Sequence, residues 1–296
     1  MDTVNQSAGW RGTLAWVALG AAVFAVVWFM AAALGSKYGL WSWQFGLGSM
    51  YFAWGPFVAG GALALSGLAL IIGLVAAPRK RPVMLSLGAL LIAGLVAGRL
   101  AGLGANAGAL PPIHDIQTDW GDPIAFSETL MSIRDADGAL NPVLPAPVIA
   151  DGAESRWPGM GGRLVSDVQE EAEYDPDTMS EPEDAPYPYT FDTVVLAGDL
   201  AQLAALAERT AADMGWDIVT PANATAAALE TQVEATETSA WFGFKDDVAI
   251  RLRSVDEGVA VDVRSTSRVG LSDLGANAKR VHLYLTALES GAAAGS

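Results

Sequence analysis

Residues 241–280 concentrate side chains that can hold charge or move protons: Asp246, Asp247, Arg251, Arg253, Asp262, Arg264, Arg268, Ser272, Asp273, Asn277 and Arg280. Seven of the eight Lys and Arg residues that follow Phe191 fall in this window. Three chemistries are open to such a set. The first is anion binding. The run Arg268-Val269-Gly270-Leu271-Ser272-Asp273 delivers the chain to a helix start, where free N–H groups and the helix dipole favour negative charge. Arg264 and Arg268 would approach such an anion from a strand, Ser272 from the corner, and Asn277 and Arg280 from the first helical turns. The second is ion pairing alone. Asp246, Asp247, Asp262 and Asp273 can neutralise Arg251, Arg253 and their neighbours across a solvated sheet face, each pair contributing about 0.2–1 kcal/mol. The third is acid–base catalysis by Asp246, Asp247 or Asp273, as a hydrolase of lipid or envelope material would need, and that requires a raised carboxyl pKa.

Other chemistries lack their motifs. Ser265, Ser267 and Ser272 have no pattern tying them to His114 or His282 as a nucleophile and base. No P-loop, zinc signature or dinucleotide fingerprint is present, so no cofactor is expected. His114, Asp115, Asp119 and Asp122 carry ligand-type atoms, but one His without a second reads as a polar loop with local Asx turns, and no metal is expected.

The elements that must position these residues follow from periodicity. Residues 244–253 and 259–268 alternate charged and apolar side chains with period two, as strands do. Asp256-Glu257-Gly258 between them is a turn, with glycine available for a left-handed position. Asp262, Arg264, Thr266 and Arg268 share one face, and so do Asp247, Arg251 and Arg253. Asp262 is therefore expected near Arg251 or Arg253, and Asp246 on the opposite face or in a bend at the strand start. Strands are also expected at 193–197, 216–220 and 229–238. Asp199 can cap a helix that runs to Met214 and stops at Gly215, with Leu200, Leu203, Ala207, Ala211 and Met214 on one face. Ser272 or Asp273 can cap a last helix with Leu274, Ala278, Val281, Leu285 and Leu288 inward. The order β-α-β-β-β-β-α predicts an α+β domain, an antiparallel sheet with helices on one face.

The N-terminal third is different in kind. Three apolar runs, 13–34, 52–77 and 83–103, each exceed the roughly 18 residues needed to cross a bilayer core. The first is too long for a signal-peptide core, and its flank carries only Arg11, so it reads as a retained helix. Residues 1–103 hold six Lys or Arg and one acid, a net charge of +5; the remainder holds eleven against thirty-two, a net of −21. Pro78-Arg79-Lys80-Arg81-Pro82 places three cations in one short loop, which predicts a cytoplasmic loop, a cytoplasmic N-terminus and a periplasmic C-terminal domain at a bacterial inner membrane. Gly60, Gly61, Ala64, Ser66 and Gly67 give the second run a small-residue surface, suited to packing among the three helices or to a partner. Arg99 is expected to snorkel to the interface. So acidic a domain does not fit broad nucleic-acid binding. The absence of Cys rules out disulfides and thiolate chemistry.

The divisions expected are three transmembrane helices over 1–103, a linker at 104–112, the α+β domain over 113–290 and a flexible tail at 291–296. A mobile acidic insertion is expected at about 135–188, where Glu, Asp, Pro and Ser displace aliphatic residues. The segments Pro112-Ile113-His114-Asp115-Ile116-Gln117-Thr118-Asp119, Ala212-Asp213-Met214-Gly215-Trp216, Trp241-Phe242-Gly243-Phe244-Lys245-Asp246-Asp247, Val261-Asp262-Val263-Arg264-Ser265, Ser267-Arg268-Val269-Gly270 and Ser272-Asp273-Leu274-Gly275-Ala276-Asn277 resemble the domain-of-unknown-function 1499 family, in its membrane-anchored bacterial form. The resemblance covers about 114–288 and implies no activity. The expected role is a membrane-anchored binding or accessory module whose partners are the bilayer and either an anionic ligand, a lipid headgroup or a partner protein. The alternatives are a structural subunit of a larger membrane complex and the hydrolase.

Overall fold

A computed structural model describes residues 3–75, 77–172, 191–224 and 228–295. The chain divides into two compact units, Met1–Ala105 with Ala240–Gly243 and Asn106–Ser239 with Phe244–Ser296.

The first unit is helical: α1 (Thr3–Lys37), a π-helical segment (Gln44–Trp54), α2 (Gly55–Val75) and α3 (Lys80–Ala109). Three stretches, Gly9–Lys37, Gln44–Val75 and Lys80–Ala105, are long and apolar enough to cross a membrane. The helices meet along Ala18, Ala22 and Ala25 of α1, Ala62 and Ala69 of α2, and Ala89 and Ala93 of α3. Spacings of three and four put each set on one helix face, and the short side chains let the backbones approach. Ser66 faces this seam, but Gly60 and Gly61 do not. They are exposed, and a Cβ on either would meet nothing within 4 Å. The stretch between the first two apolar runs turns helical at Gln44. Glycine makes this possible, because a Cβ at Gly46 would lie 2.5 Å from the Ala32 carbonyl oxygen and 2.0 Å from Ser36 Oγ. Arg11 is buried and donates to the carbonyls of Ile72 and Gly73, at 3.1 Å each. Those carbonyls end α2 and have no partner within the helix, so Arg11 caps it.

The second unit contains β1 (Asp115–Gln117), α4 (Glu128–Ala136), α5 (Val165–Glu171), β2 (Val194–Leu196), α6 (Leu200–Asp213), β3 (Asp217–Thr220), β4 (Glu230–Thr238), β5 (Lys245–Val255), β6 (Gly258–Ser267) and α7 (Ala276–Gly295). The strands form one antiparallel sheet in the order β1-β6-β5-β4-β3, and β2 also pairs with β6. The expected caps are in place: Asp199 accepts from the Gln202 N–H, and Gly215 follows the helix with φ +82. On one face Val233, Ala235, Val248, Ile250, Leu252, Val261 and Val263 pack against Leu203, Ala207 and Ala211 of α6 and Val281, Tyr284 and Leu288 of α7. The Tyr284 hydroxyl donates to the Ala207 carbonyl at 3.0 Å, and its ring stacks on Trp216.

Several expectations are corrected. Helix α3 runs through Ala109, into the expected linker, and α7 runs to Gly295, into the expected tail. Leu274 precedes α7 and takes φ +55 instead of facing inward from it. The insertion expected to be mobile at about 135–188 contributes Ile149, Ala153, Val165 and Val168 to the core; its part from 173 onward lies outside the described residues. The charged sheet face is not solvated. Residues 118–145 cover it, and Ile124, Phe126 and Leu130 build a second, smaller core there on Ala249.

Gly258 adopts φ +142, and a Cβ there would sit 2.2 Å from the Leu196 carbonyl oxygen. Gly258→Ala therefore strains the turn and parts β2 from β6. The substitution should destabilise the second unit by about 1–3 kcal/mol, while Glu257→Ala beside it should be silent in the same thermal unfolding scans.

Candidate functional site

The two rows of the β5–β6 hairpin pair as the alternation requires: Asp247 lies opposite Thr266, Ala249 opposite Arg264, and Arg251 opposite Asp262. Because the sheet is covered on both sides, the polar side chains of β5 and β6 fall into two separate buried clusters, one on each face.

The first cluster lies under residues 118–145. Asp115, Asp247 and Asp262 are 0% exposed, and Arg264 and Arg268 are 1% and 4% exposed. Arg264 forks onto Asp115 with Nε and Nη2 at 3.0 and 2.6 Å. Its remaining N–H groups reach the carbonyls of Ile124 and Leu144, both at 2.7 Å. The rings of Trp120 and Phe126 lie 5.8 and 5.9 Å from the guanidinium carbon. Arg268 forks onto Asp247 at 2.8 and 2.7 Å, and Arg134 of α4 reaches the same carboxylate at 2.5 Å. Asp247 therefore carries two guanidinium groups plus the Thr236 hydroxyl at 2.6 Å. Asp262 accepts from Arg251 at 3.1 Å and Arg253 at 2.7 Å. Burial pushes its carboxyl pKa up, but hydrogen bonds from Thr193, Arg253 and Arg251 outweigh this and hold it below the usual carboxylate range. Asp119 and Asp122 lean on the same two arginines. Glu234 is fully buried and accepts from the Ser127 N–H at 2.6 Å, from the Ser127 hydroxyl, from Thr220 at 2.8 Å and from Gln232 at 2.9 Å. Ser127 in turn caps α4 through Leu130 N–H.

The second cluster lies on the opposite side, where α7 begins. Ser265 donates to Asn277 Oδ1 at 2.6 Å, and the Asn277 amide donates to Ser267 at 2.9 Å and to the His114 carbonyl at 3.1 Å. Arg280 donates to Asp246 at 2.6 Å, to Ser265 at 2.9 Å, and to Glu237 and Asn277. Asp273 joins no ion pair among the described residues, which corrects the pairing expected of it. Its carboxylate accepts from the N–H groups of Gly275 at 2.8 Å and Asn277 at 3.1 Å. Desolvation, with the Asp246 charge adding to it, pushes its pKa up to about 6 against those backbone bonds. Burial pulls the His114 imidazole below its usual range, opposed chiefly by the Asp115 charge.

The candidate anion corner is thus split by the sheet. Arg264 and Arg268 lie on one side; Ser272, Asn277 and Arg280 lie on the other, where Ser272 donates to the Pro111 carbonyl at 3.2 Å. The arginines of both groups are committed to carboxylates of this chain. The ion pairs expected of Asp246, Asp247, Arg251, Arg253 and Asp262 all form, and they are buried where exposure was expected. Sequence reasoning did not place Asp115, Arg134 or Glu234 in the network, nor Asp137, which accepts from Arg268 and Lys245 at 2.5 Å, nor Asn141, whose amide donates to the carbonyls of Ser267 and Gly270 at 3.1 and 2.9 Å. One signal was available: Ser127-Glu128 followed by Leu130, Met131 and Ile133 is a capped amphipathic helix start.

Two substitutions test this electrostatic reading. Arg264→Ala leaves Asp115 buried without its cation and should cost about 3–5 kcal/mol, seen as a lowered Tm and loss of near-ultraviolet dichroism. Asp273→Asn keeps a capping oxygen but removes the titration. A carboxyl whose folded pKa is raised stabilises fully below its unfolded pKa, and that contribution is lost as pH rises through about 6. The variant should therefore exceed the wild type in Tm at pH 7–8 and match it at pH 4 or below; equal Tm values across the whole range would refute the assignment.

Among known families, a model described as "Protein of unknown function (DUF1499)" matches residues 115–288. No curated protein and no solved structure matches the chain. The matched span runs from β1, through both buried clusters, to the last inward residue of α7. It takes in more than half of the chain, which belongs to the DUF1499 family.

Proposed function

We propose that this protein is a membrane-anchored, non-enzymatic accessory module of the bacterial inner membrane, and that its periplasmic domain recognises a partner protein. The observation that carries this reading is the internal neutralisation of the arginines. Arg264, Arg268 and Arg280, the cations best placed by sequence to receive an anionic ligand, are each held by carboxylates of the chain itself. With eleven cations against thirty-two acids in residues 104–296, the domain repels anionic headgroups and favours a basic protein surface. The orientation rests on Arg79, Lys80 and Arg81 between α2 and α3, a cationic loop of the kind retained in the cytoplasm.

A second reading, an envelope or lipid hydrolase, is favoured by one observation: Asp273, half-buried at the edge of the second cluster, has a carboxyl pKa pushed up to about 6. Asp247 is not placed to serve in this way, because both its oxygens are engaged by Arg134, Arg268 and the Thr236 hydroxyl. A hydrolytic activity in the purified protein that disappears in Asp273→Asn would replace the leading reading with this one.

Native mass spectrometry of the protein solubilised from its own membrane tests the proposal. The expected result is a second polypeptide that dissociates as salt is raised several-fold, since exposed charge contacts are screened beyond roughly 8 Å at physiological ionic strength. A stoichiometric small anion lost on Arg268→Gln would overturn it. A partner that resists salt but is lost in Gly61→Leu would instead favour a structural subunit joined through α2, where Gly61 is exposed and a Cβ meets nothing.

A further inference from the structure

We propose that the groove between α6 and α7 is a binding site for a single acyl chain ending in an anionic headgroup, which Arg209 receives. This is independent of the partner-protein reading, because the groove lies on the outer side of the helix layer, away from both buried clusters.

The inference starts from the cations. Arg134, Arg163, Lys245, Arg251, Arg253, Arg264, Arg268 and Arg280 all pair with carboxylates. Arg156 stands 4.8 Å over the ring of Trp157, and Lys279 is also engaged. Among the described residues of 104–296, this leaves Arg209 as the one cation without a partner. Arg209 is exposed on α6, and it lines a cavity of about 620 Å³.

Apart from Gln202, the rest of the lining is apolar or small, with Leu203, Ala205 and Leu206 from α6 and Gly291 and Ala292 from α7. Gly291 sets the depth of the groove. A Cβ there would come within 3.2 Å of Leu206 Cδ1, so glycine lets the end of α7 close against α6 and form a floor. Gln202 and Arg209, both lining residues, are seven positions apart on α6, roughly 10 Å along its axis. The groove therefore offers an apolar channel with a cation toward one end, in the size range of small-molecule sites.

That pattern selects an amphiphile. A small hydrophilic anion would gain only Arg209 and would face the negative field of the domain. A neutral chain would leave the guanidinium without a partner. An acyl chain with a carboxylate or phosphate head satisfies both ends, and arginine binds either head with two parallel hydrogen bonds. The same chain carries three membrane-competent helices, so such amphiphiles are at hand.

The test uses the full chain in nanodiscs of phosphatidylcholine, with native mass spectrometry counting adducts. Laurate and dodecyl phosphate are the anionic probes, and dodecyl maltoside is the neutral control. The expected result is one anionic probe per chain, bound roughly tenfold more weakly by Arg209→Gln and excluded by Ala205→Trp, which fills the groove from an exposed position. Both variants should keep the wild-type Tm, because neither side chain is buried. A preference for laurate would identify a free fatty carboxylate as the source, and a preference for dodecyl phosphate a phosphorylated lipid head. No saturable adduct, undiminished binding in Arg209→Gln, undiminished binding in Ala205→Trp, or equal uptake of dodecyl maltoside would each overturn the proposal.

Discussion

The burial of charge on one face of the β5–β6 hairpin is the constraint on which the second unit depends. Asp115, Asp247 and Asp262 are removed from water, and each carboxylate must be matched where it lies. The matching groups come from distant parts of the chain. Arg264 joins β6 to Asp115 on β1 and to the carbonyls of Ile124 and Leu144, and Asp247 joins β5 to Arg134 on α4. Such pairs add little net stability compared with apolar packing, but removing one partner is costly. Their effect is therefore on specificity. A one-residue slip between β5 and β6 would turn Arg264 toward the apolar helix face and leave Asp115 unmatched. The network accordingly fixes strand register, and it requires the segment 118–145 to be ordered over the sheet.

Much of this was legible in sequence, and what was not has identifiable causes. Strand alternation sorted Asp262, Arg264 and Arg268 onto one face and Asp246 onto the other, because the period of two is a local property. The caps at Asp199 and Gly215 were equally local. Which face meets water is not local. It depends on Ile124, Phe126 and Leu130, which lie in a stretch with no strand periodicity and only a short helix, so they look like loop residues until the sheet beneath them is known. Strand β1 has three residues, too few to show any period. The anion corner failed for a related reason. Nearness along the chain at Gly270 brought Arg268 and Ser272 together on paper, but Ser267 and Arg268, one step apart, turn to opposite sides of the sheet.

The first unit poses the complementary difficulty. Its spans are evident from composition, but the packed face is not, because small residues occur on every side of α2. Alanine and serine form the seam, and two of the glycines that seemed made for it are exposed. Glycine matters instead where backbones come into contact, as at Gly46 against the Ala32 carbonyl. A glycine read as an interface residue from sequence is better treated as a question about which backbone it approaches.

The balance of charge joins the internal network to the outer surface. The second unit has far fewer cations than acids, and seven of its eleven, Arg134, Lys245, Arg251, Arg253, Arg264, Arg268 and Arg280, are paired with buried carboxylates or with acids beside them. The excess of acids over cations gives the domain a negative field at long range. That field is screened over a Debye length, whereas a direct guanidinium contact acts at hydrogen-bond distance. The two therefore act on different ligands. A basic protein surface is drawn in by the field before it touches anything. An anion is repelled at range and is retained only where an uncommitted arginine and an apolar wall lie side by side, and on α6 that juxtaposition occurs at Arg209.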